Sequence, residues 1–238
     1  SGVEELQDGT LTLGSDIAYA PMEFVDDNGD NVGMDIDLAN AIGEVLGVEV
    51  EFQNATFDGL IPALLANRYD GLMSSMTHTS ERDEQVDFID YFNAGSGIIV
   101  PTGNPDGIQG SADLCGKKVA VQEGTIQVDA LEQQSATCDQ AIEILRFPTD
   151  PEAVQALLAG QADAEIADFP VAAYSASQSN GDLEIVPNQI DPAPYGIAVR
   201  PDSDDLEDVL QQAFDQVKED GTYDEILDKW NLSAGALE

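Results

Sequence analysis

Positive charge is nearly absent from this chain. Lysine and arginine together number 8 in 238 residues, against 47 aspartates and glutamates, for a formal net charge of −39. Such a surface repels phosphate backbones and carries no basic patch, so nucleic acid is excluded as a partner. It suits a hydrated surface that stays soluble in concentrated salt, where screening weakens self-repulsion, and it predicts a halophilic or salt-tolerant source. Histidine is as scarce: His78 is the only one. No Gly-x-Ser-x-Gly elbow surrounds any serine, since Gly95-Ser96-Gly97 is too short. Paired carboxylates carry no information among so many acids. Hydrolase chemistry therefore lacks its machinery, and no catalytic residue is expected.

Cysteine is limited to Cys115 and Cys138. They lack CxxC spacing and a histidine neighbour, which argues against zinc, and no metal or cofactor is expected. An even count in an otherwise cysteine-free chain fits one disulfide in an oxidising compartment, with a reduced buried pair as the alternative. No apolar run approaches the roughly 20 residues that span a bilayer. The acidic turn Asp26-Asp27-Asn28-Gly29-Asp30 imitates a calcium loop, but Asn31 replaces the sixth-position glycine and Asp37 the twelfth-position glutamate. A hairpin turn on Asn-Gly fits it better. The chain opens on Ser1-Gly2 without methionine, which predicts a processed or trimmed N terminus, and Ala236-Leu237-Glu238 reads as an appended tail.

What the chain does have is a 42% hydrophobic content, enough for substantial cores. Strands are predicted at 11–14, 48–52, 71–75, 98–100, 118–121, 144–147, 162–167, 184–186 and 195–199. Helical spacing marks 35–46, where Leu38, Ala41, Ile42, Val45 and Leu46 share a face and Gly47 supplies a stop. Further helices are predicted at 58–67, 126–134, after Thr149, after Pro170, and over 203–219 and 222–230. Thr149-x-x-Glu152 with Pro151 is a capping-box start. Strand and helix alternate, so the fold class is α/β with mostly parallel sheets. Glycines and prolines over 93–110 place a domain crossing near 94–97, and Asp191-Pro192-Ala193-Pro194 marks a return.

Chemistry gathers in Ser74-Ser75-Met76-Thr77-His78-Thr79-Ser80-Glu81-Arg82, with five hydroxyls and a rare arginine. In α/β sheets ligands bind beyond the carboxyl ends of strands. Four loops stand there: Asp16 to Tyr19, this stretch, Glu123 to Ile126, and Asp168. A guanidinium fork matches a carboxylate. Gly124-Thr125 opens a helix whose free N–H groups favour an anion. Arg82 and that helix end can grip one carboxylate, while Asp168 with Ser75 and Thr77 can take an ammonium. This is the inventory for a free α-amino acid. The plainer alternative is a polar loop whose arginine pairs with a surface acid.

The strings SDIAYAPMEFVDDNGDNVGMDIDLANAIGEVLGVEV and FDGLIPALLANRYDGLMSSMTHTSERDEQVDF, with VAVQEGT and GQADAEIADFPVAAY later, closely resemble the amino-acid-binding proteins of ABC importers. The histidine-binding and lysine/arginine/ornithine-binding members are nearest in motif. The resemblance implies a two-lobed Venus-flytrap fold, with lobe one over 1–94 and 196–238 and lobe two over 97–192. Hinge crossings would fall near 94–97 and 192–196. It implies extracytoplasmic capture of a free L-amino acid by hinge closure, and delivery to an ABC permease. The protein would be a monomer in the periplasm or outside the cell, with a lipid anchor as one means of attachment. By the same resemblance Arg82 meets the α-carboxylate with Thr77 and the Ile126 N–H beside Thr125, and Ser75 and Asp168 meet the α-ammonium. Tyr19 and Phe57 would flank the ligand side chain, with Asp16 and Ser74 near its far end.

An acidic ligand would need a distal cation, and none is found. Asp16 and Glu123 place acids there instead, and the rings of Tyr19 and Phe57 attract a guanidinium or ammonium. A basic amino acid is therefore expected, arginine before lysine or histidine, with glutamine as the alternative. Other readings on the same fold are a cyclohexadienyl-dehydratase-like enzyme using Glu123 or Glu165 as acid, and the sensory lobe of a receptor.

Overall fold

The structure, a computed structural model, describes residues 3–238; Ser1 and Gly2, and with them the expectation of a processed N terminus, lie outside the described residues. The chain divides into two compact units. The first holds the chain up to Ile17, Pro21–Asn93 and Ala193–Glu238; the second holds Ala18–Ala20 and Ala94–Pro192.

In chain order the first unit contains β1 (Thr10–Ser15), a hairpin of β2 (Phe24–Val25) and β3 (Asn31–Val32), and α1 (Met34–Leu46). It continues with β4 (Glu49–Asn54), α2 (Leu60–Leu65), β5 (Gly71–Leu72) and α3 (Ser80–Asp83). β6 (Asp87–Pro101) begins in this unit and ends in the second. There follow β7 (Lys118–Gln122), α4 (Ile126–Ser135), β8 (Glu143–Phe147), α5 (Asp150–Leu158), β9 (Ala164–Asp168), α6 (Phe169–Gln178) and β10 (Leu183–Ile185). β11 (Ile190–Val199) returns the chain to the first unit, which closes with α7 (Asp204–Glu219) and α8 (Thr222–Lys229).

Local sequence explains most of these elements. α1 buries Ile36, Leu38, Ala39 and Ile42 on one face, and Gly47 ends it in the left-handed region at φ 70°. α7 buries Leu206, Leu210, Ala213, Phe214 and Val217 at helical spacing. At the start of α5 the Thr149 N–H donates to the Glu152 carboxylate at 3.1 Å, the capping geometry its sequence predicts. Trp230, the single tryptophan, meets Phe24 edge-on at 5.9 Å and donates its indole N–H to Asp37 Oδ2 at 2.8 Å.

In the first unit β1 lies between β4 and β5, parallel to both, with Leu13 opposite Phe52 and Gly71. β11 runs antiparallel to β5. In the second unit β7 lies parallel between β8 and β9, and β6 runs antiparallel to β9 with Ser96 opposite Asp168. The parallel pairs bring the carboxyl ends of β1 and β5 together in one unit and those of β7 and β9 together in the other, which positions the site loops. β6 and β11 make the sheets more mixed than the sequence predicts.

The strands predicted at 98–100 and 195–199 are parts of longer ones, β6 and β11, which run unbroken through 94–97 and 191–194. Gly95 and Gly97 mark close approach. A Cβ on Gly95 would stand 2.6 Å from the Ile190 carbonyl oxygen, and one on Gly97 would stand 2.9 Å from the Phe169 Cα. β5 is shorter than expected, ending at Leu72: Met73 still donates to the Gly14 carbonyl, but Ser75 turns its N–H onto the Asp35 side chain.

Each unit has a buried apolar core. In the first unit Leu60, Leu64, Leu72, Met76 and Val86 pack together; in the second, Ile98, Leu114, Val119, Val121 and Ile166 do. Among the described residues no helix is long and apolar enough to cross a membrane. Cys115 and Cys138 form a disulfide with Cα atoms 5.5 Å apart, 23 residues apart in sequence, and Cys138 packs on the second core. Closing a loop of this length contributes about 3 kcal/mol in the chain-entropy model. Thiol titration of the unreduced, denatured protein should find no free thiol, and reduction should lower the urea midpoint. Two reactive thiols would contradict the pairing.

Candidate functional site

The loops after β1 and β5 are joined by a buried polar network. Asp16 is only 4% exposed, and its N–H donates to Ser74 Oγ at 2.9 Å. Ser74 in turn donates to Glu23 Oε1 at 3.2 Å. Ser75 takes a φ of 48°, unusual for a residue with a side chain. That turn aims its N–H at Asp35 Oδ2, 2.8 Å away, and sets its hydroxyl 3.0 Å from Glu23 and 3.1 Å from Asp35. Tyr91 donates its hydroxyl to the same Asp35 oxygen at 2.9 Å.

Glu23 and Asp35 are both fully buried. A serine hydroxyl has one hydrogen and cannot donate to two carboxylates at once. A proton on Glu23 completes the set. Burial, followed by the Asp35 charge, pushes the Glu23 carboxyl well above the ordinary 4.5. Ser74 and Ser75, expected along the ligand, thus turn their hydroxyls onto these acids. Neither acid is distinguishable in a sequence holding 47 of them.

Arg82 stands in α3, where Thr79 accepts its N–H at 3.2 Å. Its Nη1 donates to the Thr77 carbonyl at 2.8 Å, and its guanidinium lies 5.5 Å from the Phe57 ring centre. Phe57, expected against a ligand side chain, therefore also packs on the chain's own arginine. Thr77 is buried and pairs with Tyr195 as an isolated bridge. His78 bonds Asp90 at 2.8 Å and Asp83 at 3.0 Å and stacks on Phe88 at 4.6 Å, a structural setting for the only histidine.

In the second unit Thr125 precedes α4, but its hydroxyl donates back to the Gln122 carbonyl at 2.8 Å and does not cap the helix. The turn beginning at Ile126 thus carries no side-chain cap, which leaves the end of the helix dipole to attract an anion. Glu123 pairs with Arg146 at 3.5 Å, which offsets the negative charge expected beside that turn. Asp168 ends β9 and is 5% exposed. Its Oδ2 accepts from the Tyr19 hydroxyl at 2.8 Å, its N–H donates to that hydroxyl at 3.0 Å, and its Oδ1 accepts from Gln127 Nε2 at 2.9 Å. Burial and the Asp168 charge raise the Tyr19 phenol well above its usual range. Glu165, fully buried, is raised by burial and then by Asp150. Gln127 is a site residue that sequence reasoning missed.

Asp87, Asp204 and Glu207 bring carboxylate oxygens within 4.8 Å of one another, but surface acids gather this way on a chain of such charge.

The raised Glu23 carboxyl makes stability depend on pH with a definite sign. Where both states are protonated its contribution is fully present; as pH rises past the unfolded value, only the native state keeps the proton and stability falls. Glu23→Gln removes this titration. Between about pH 5 and about pH 8 the urea midpoint of the parent chain, followed by circular dichroism, should fall further than that of the variant. Parallel curves would mean that Glu23 does not titrate there.

Residues 11–233 match the model of the bacterial extracellular solute-binding proteins, family 3. The chain is 35% identical over 237 residues to the arginine-binding protein ArgT of Corynebacterium glutamicum, covering 98% of this chain and 77% of that one. An ancestral arginine-binding protein bound to arginine matches with a TM-score of 0.89 at 42% identity, covering 93% of this chain and 98% of that one. The ancestral amino-acid-binding protein AncCDT-1, a precursor of cyclohexadienyl dehydratase, matches at 0.86 with 40% identity, over 95% and 97% of the two chains. With a family match across nearly its whole length, the chain belongs to the bacterial extracellular solute-binding proteins, family 3.

Proposed function

We propose that this chain binds a free basic amino acid, arginine first, outside the cytoplasm and presents it to an ABC permease. The observation that carries this reading is similarity to arginine-binding proteins along almost the whole chain. In the first unit Arg82 receives the α-carboxylate, supported by Thr77, and Asp16 supplies the acid for the ligand's cationic end. In the second unit the uncapped turn at Thr125 and Ile126 favours a carboxylate, and Asp168 an α-ammonium. Tyr19 and Phe57 offer ring faces, and the Ser74–Ser75 hydroxyls act through Glu23 and Asp35, which set the loop backbone. The protein acts as a monomer, attached to the cell surface by a lipid where its source has no outer membrane.

The chain is a binder and not an enzyme. His78 is held between two aspartates and a ring, Glu123 is paired with Arg146, and Glu165 is fully buried, so none is placed as a general acid at an open surface. Incubation with prephenate or arogenate should yield no aromatic product.

Calorimetric competition among arginine, lysine, histidine, glutamine, glutamate and leucine tests the ligand class at fixed salt. Arginine should bind tightest, and Asp16→Asn should erode its lead over glutamine. At 100 times Kd, arginine should stabilise the fold by roughly 2.7 kcal/mol, a melting shift of about 5–10 °C for a chain of this size. Arg82→Ala should remove most of that shift, because hydrogen bonds to a charged group contribute about 1.5–3 kcal/mol each. Tightest binding by glutamate or leucine, or full arginine affinity in Arg82→Ala, would sink the assignment.

A further inference from the structure

Gln127 stands in the first turn of α4 and is 2% exposed. A buried primary amide is unfavourable unless its hydrogens find acceptors. Here the amide nitrogen finds two, Asp168 Oδ1 at 2.9 Å and Ser96 Oγ at 3.0 Å. Ser96 and Asp168 are register partners across β6 and β9. The amide is therefore anchored on the strand pair through Ser96 and directs its other hydrogen at the Asp168 carboxylate.

The Tyr19 hydroxyl, at 2.8 Å, occupies the second carboxylate oxygen. Each oxygen of Asp168 is thus bonded by a neutral donor, and the two bonds together fix the plane of the carboxylate. A lysine or arginine at position 127 would fix the plane and remove the attraction for an ammonium. An apolar side chain would keep the charge and lose the orientation.

The backbone of Gln127 belongs to a different task. It lies one residue into the uncapped turn of α4, where an anion is attracted. An α-amino acid carries its carboxylate and ammonium on one carbon, so a selective site must hold the two subsites at one spacing. Gln127 is shared by both, through its main chain at one and its side chain at the other.

We propose that Gln127 is a positioning residue that acts through Asp168 to set the spacing of the carboxylate and ammonium subsites, so that the chain selects α-amino acids over analogues lacking the ammonium. The inference rests on the amino-acid reading given above.

The test compares L-arginine with its 2-hydroxy analogue, which keeps the guanidinium chain and carboxylate and replaces the ammonium by a hydroxyl. Affinities of the full chain, Gln127→Met and Ser96→Ala are measured by calorimetry, with a melting curve of each protein alone as the folding control. Gln127→Met should weaken arginine by about ten- to a hundredfold, the range for one hydrogen bond to a charged group, while the hydroxy acid changes by less than about threefold. Ser96→Ala, which removes only the anchor, should shift the ratio in the same direction by a smaller factor, and it carries the test if Gln127→Met does not fold. Equal weakening of both ligands would show a packing role and overturn the inference, as would unchanged arginine affinity. Failure of the parent chain to bind either ligand would instead overturn the amino-acid reading, and this inference with it.

Discussion

Asp35 is the point on which the first unit's site depends. It sits in the first turn of α1, fully buried, and accepts hydrogen bonds from the Tyr91 hydroxyl on β6 and the Ser75 N–H after β5. One carboxylate oxygen therefore fixes a helix, a strand and a loop against each other. Hydrogen bonds to a buried charge contribute about 1.5–3 kcal/mol each. That is enough to hold Ser75 in its left-handed backbone conformation, which costs about 1–2 kcal/mol. Through Ser75 the constraint passes to Glu23 and Ser74, and from Ser74 to the Asp16 backbone.

The second unit solves a related problem with the same means. Asp168 is oriented by a phenol and an amide, just as Asp35 is oriented by a phenol and a peptide. Neutral donors appear in both places, while several of the few cations pair with other acids. Lys117 pairs with Asp106 at 2.8 Å, Lys229 with Asp37 at 2.7 Å, Arg200 with Glu5 at 3.4 Å, and Arg146 with Glu123 at 3.5 Å. Apart from the part-buried Arg200–Glu5 pair, these are surface ion pairs, which contribute about 0–1 kcal/mol and weaken with salt. The buried acids are held by bonds that salt does not screen. On a strongly acidic chain this separates the integrity of the site from the ionic strength outside.

What could be read from the sequence was local. The faces of α1 and α7, the Gly47 stop and the Thr149–Glu152 cap follow from residues a few positions apart, and each stands in the structure where the pattern put it. The Arg82 loop and Asp168 stood out as site candidates because strand ends in α/β sheets collect ligands, and an arginine is conspicuous among 8 cations. What escaped were contacts between distant positions. Ser75 meets Glu23 52 residues away, and Gln127 meets Asp168 at a separation of 41. The role of Gly95 and Gly97 was hidden because close backbone approach to Ile190 and Phe169 leaves no trace in their neighbours. Glu23 and Asp35 were hidden by abundance, since periodicity says that a side chain is buried but not that a buried acid keeps its proton.

The position of Trp230 has a consequence for how this protein can be watched. Its indole touches Phe24 and donates to Asp37, both in the first unit, and the second unit has no tryptophan. Intrinsic emission is thus a reporter of one unit only. Its quantum yield will follow the β2–β3 hairpin and the start of α1, with Asp37 as a nearby charge. Unfolding of the second unit, with its disulfide, is silent in that signal and must be read from tyrosine or from backbone dichroism. A mismatch between emission and dichroism curves would therefore resolve the two units without any label.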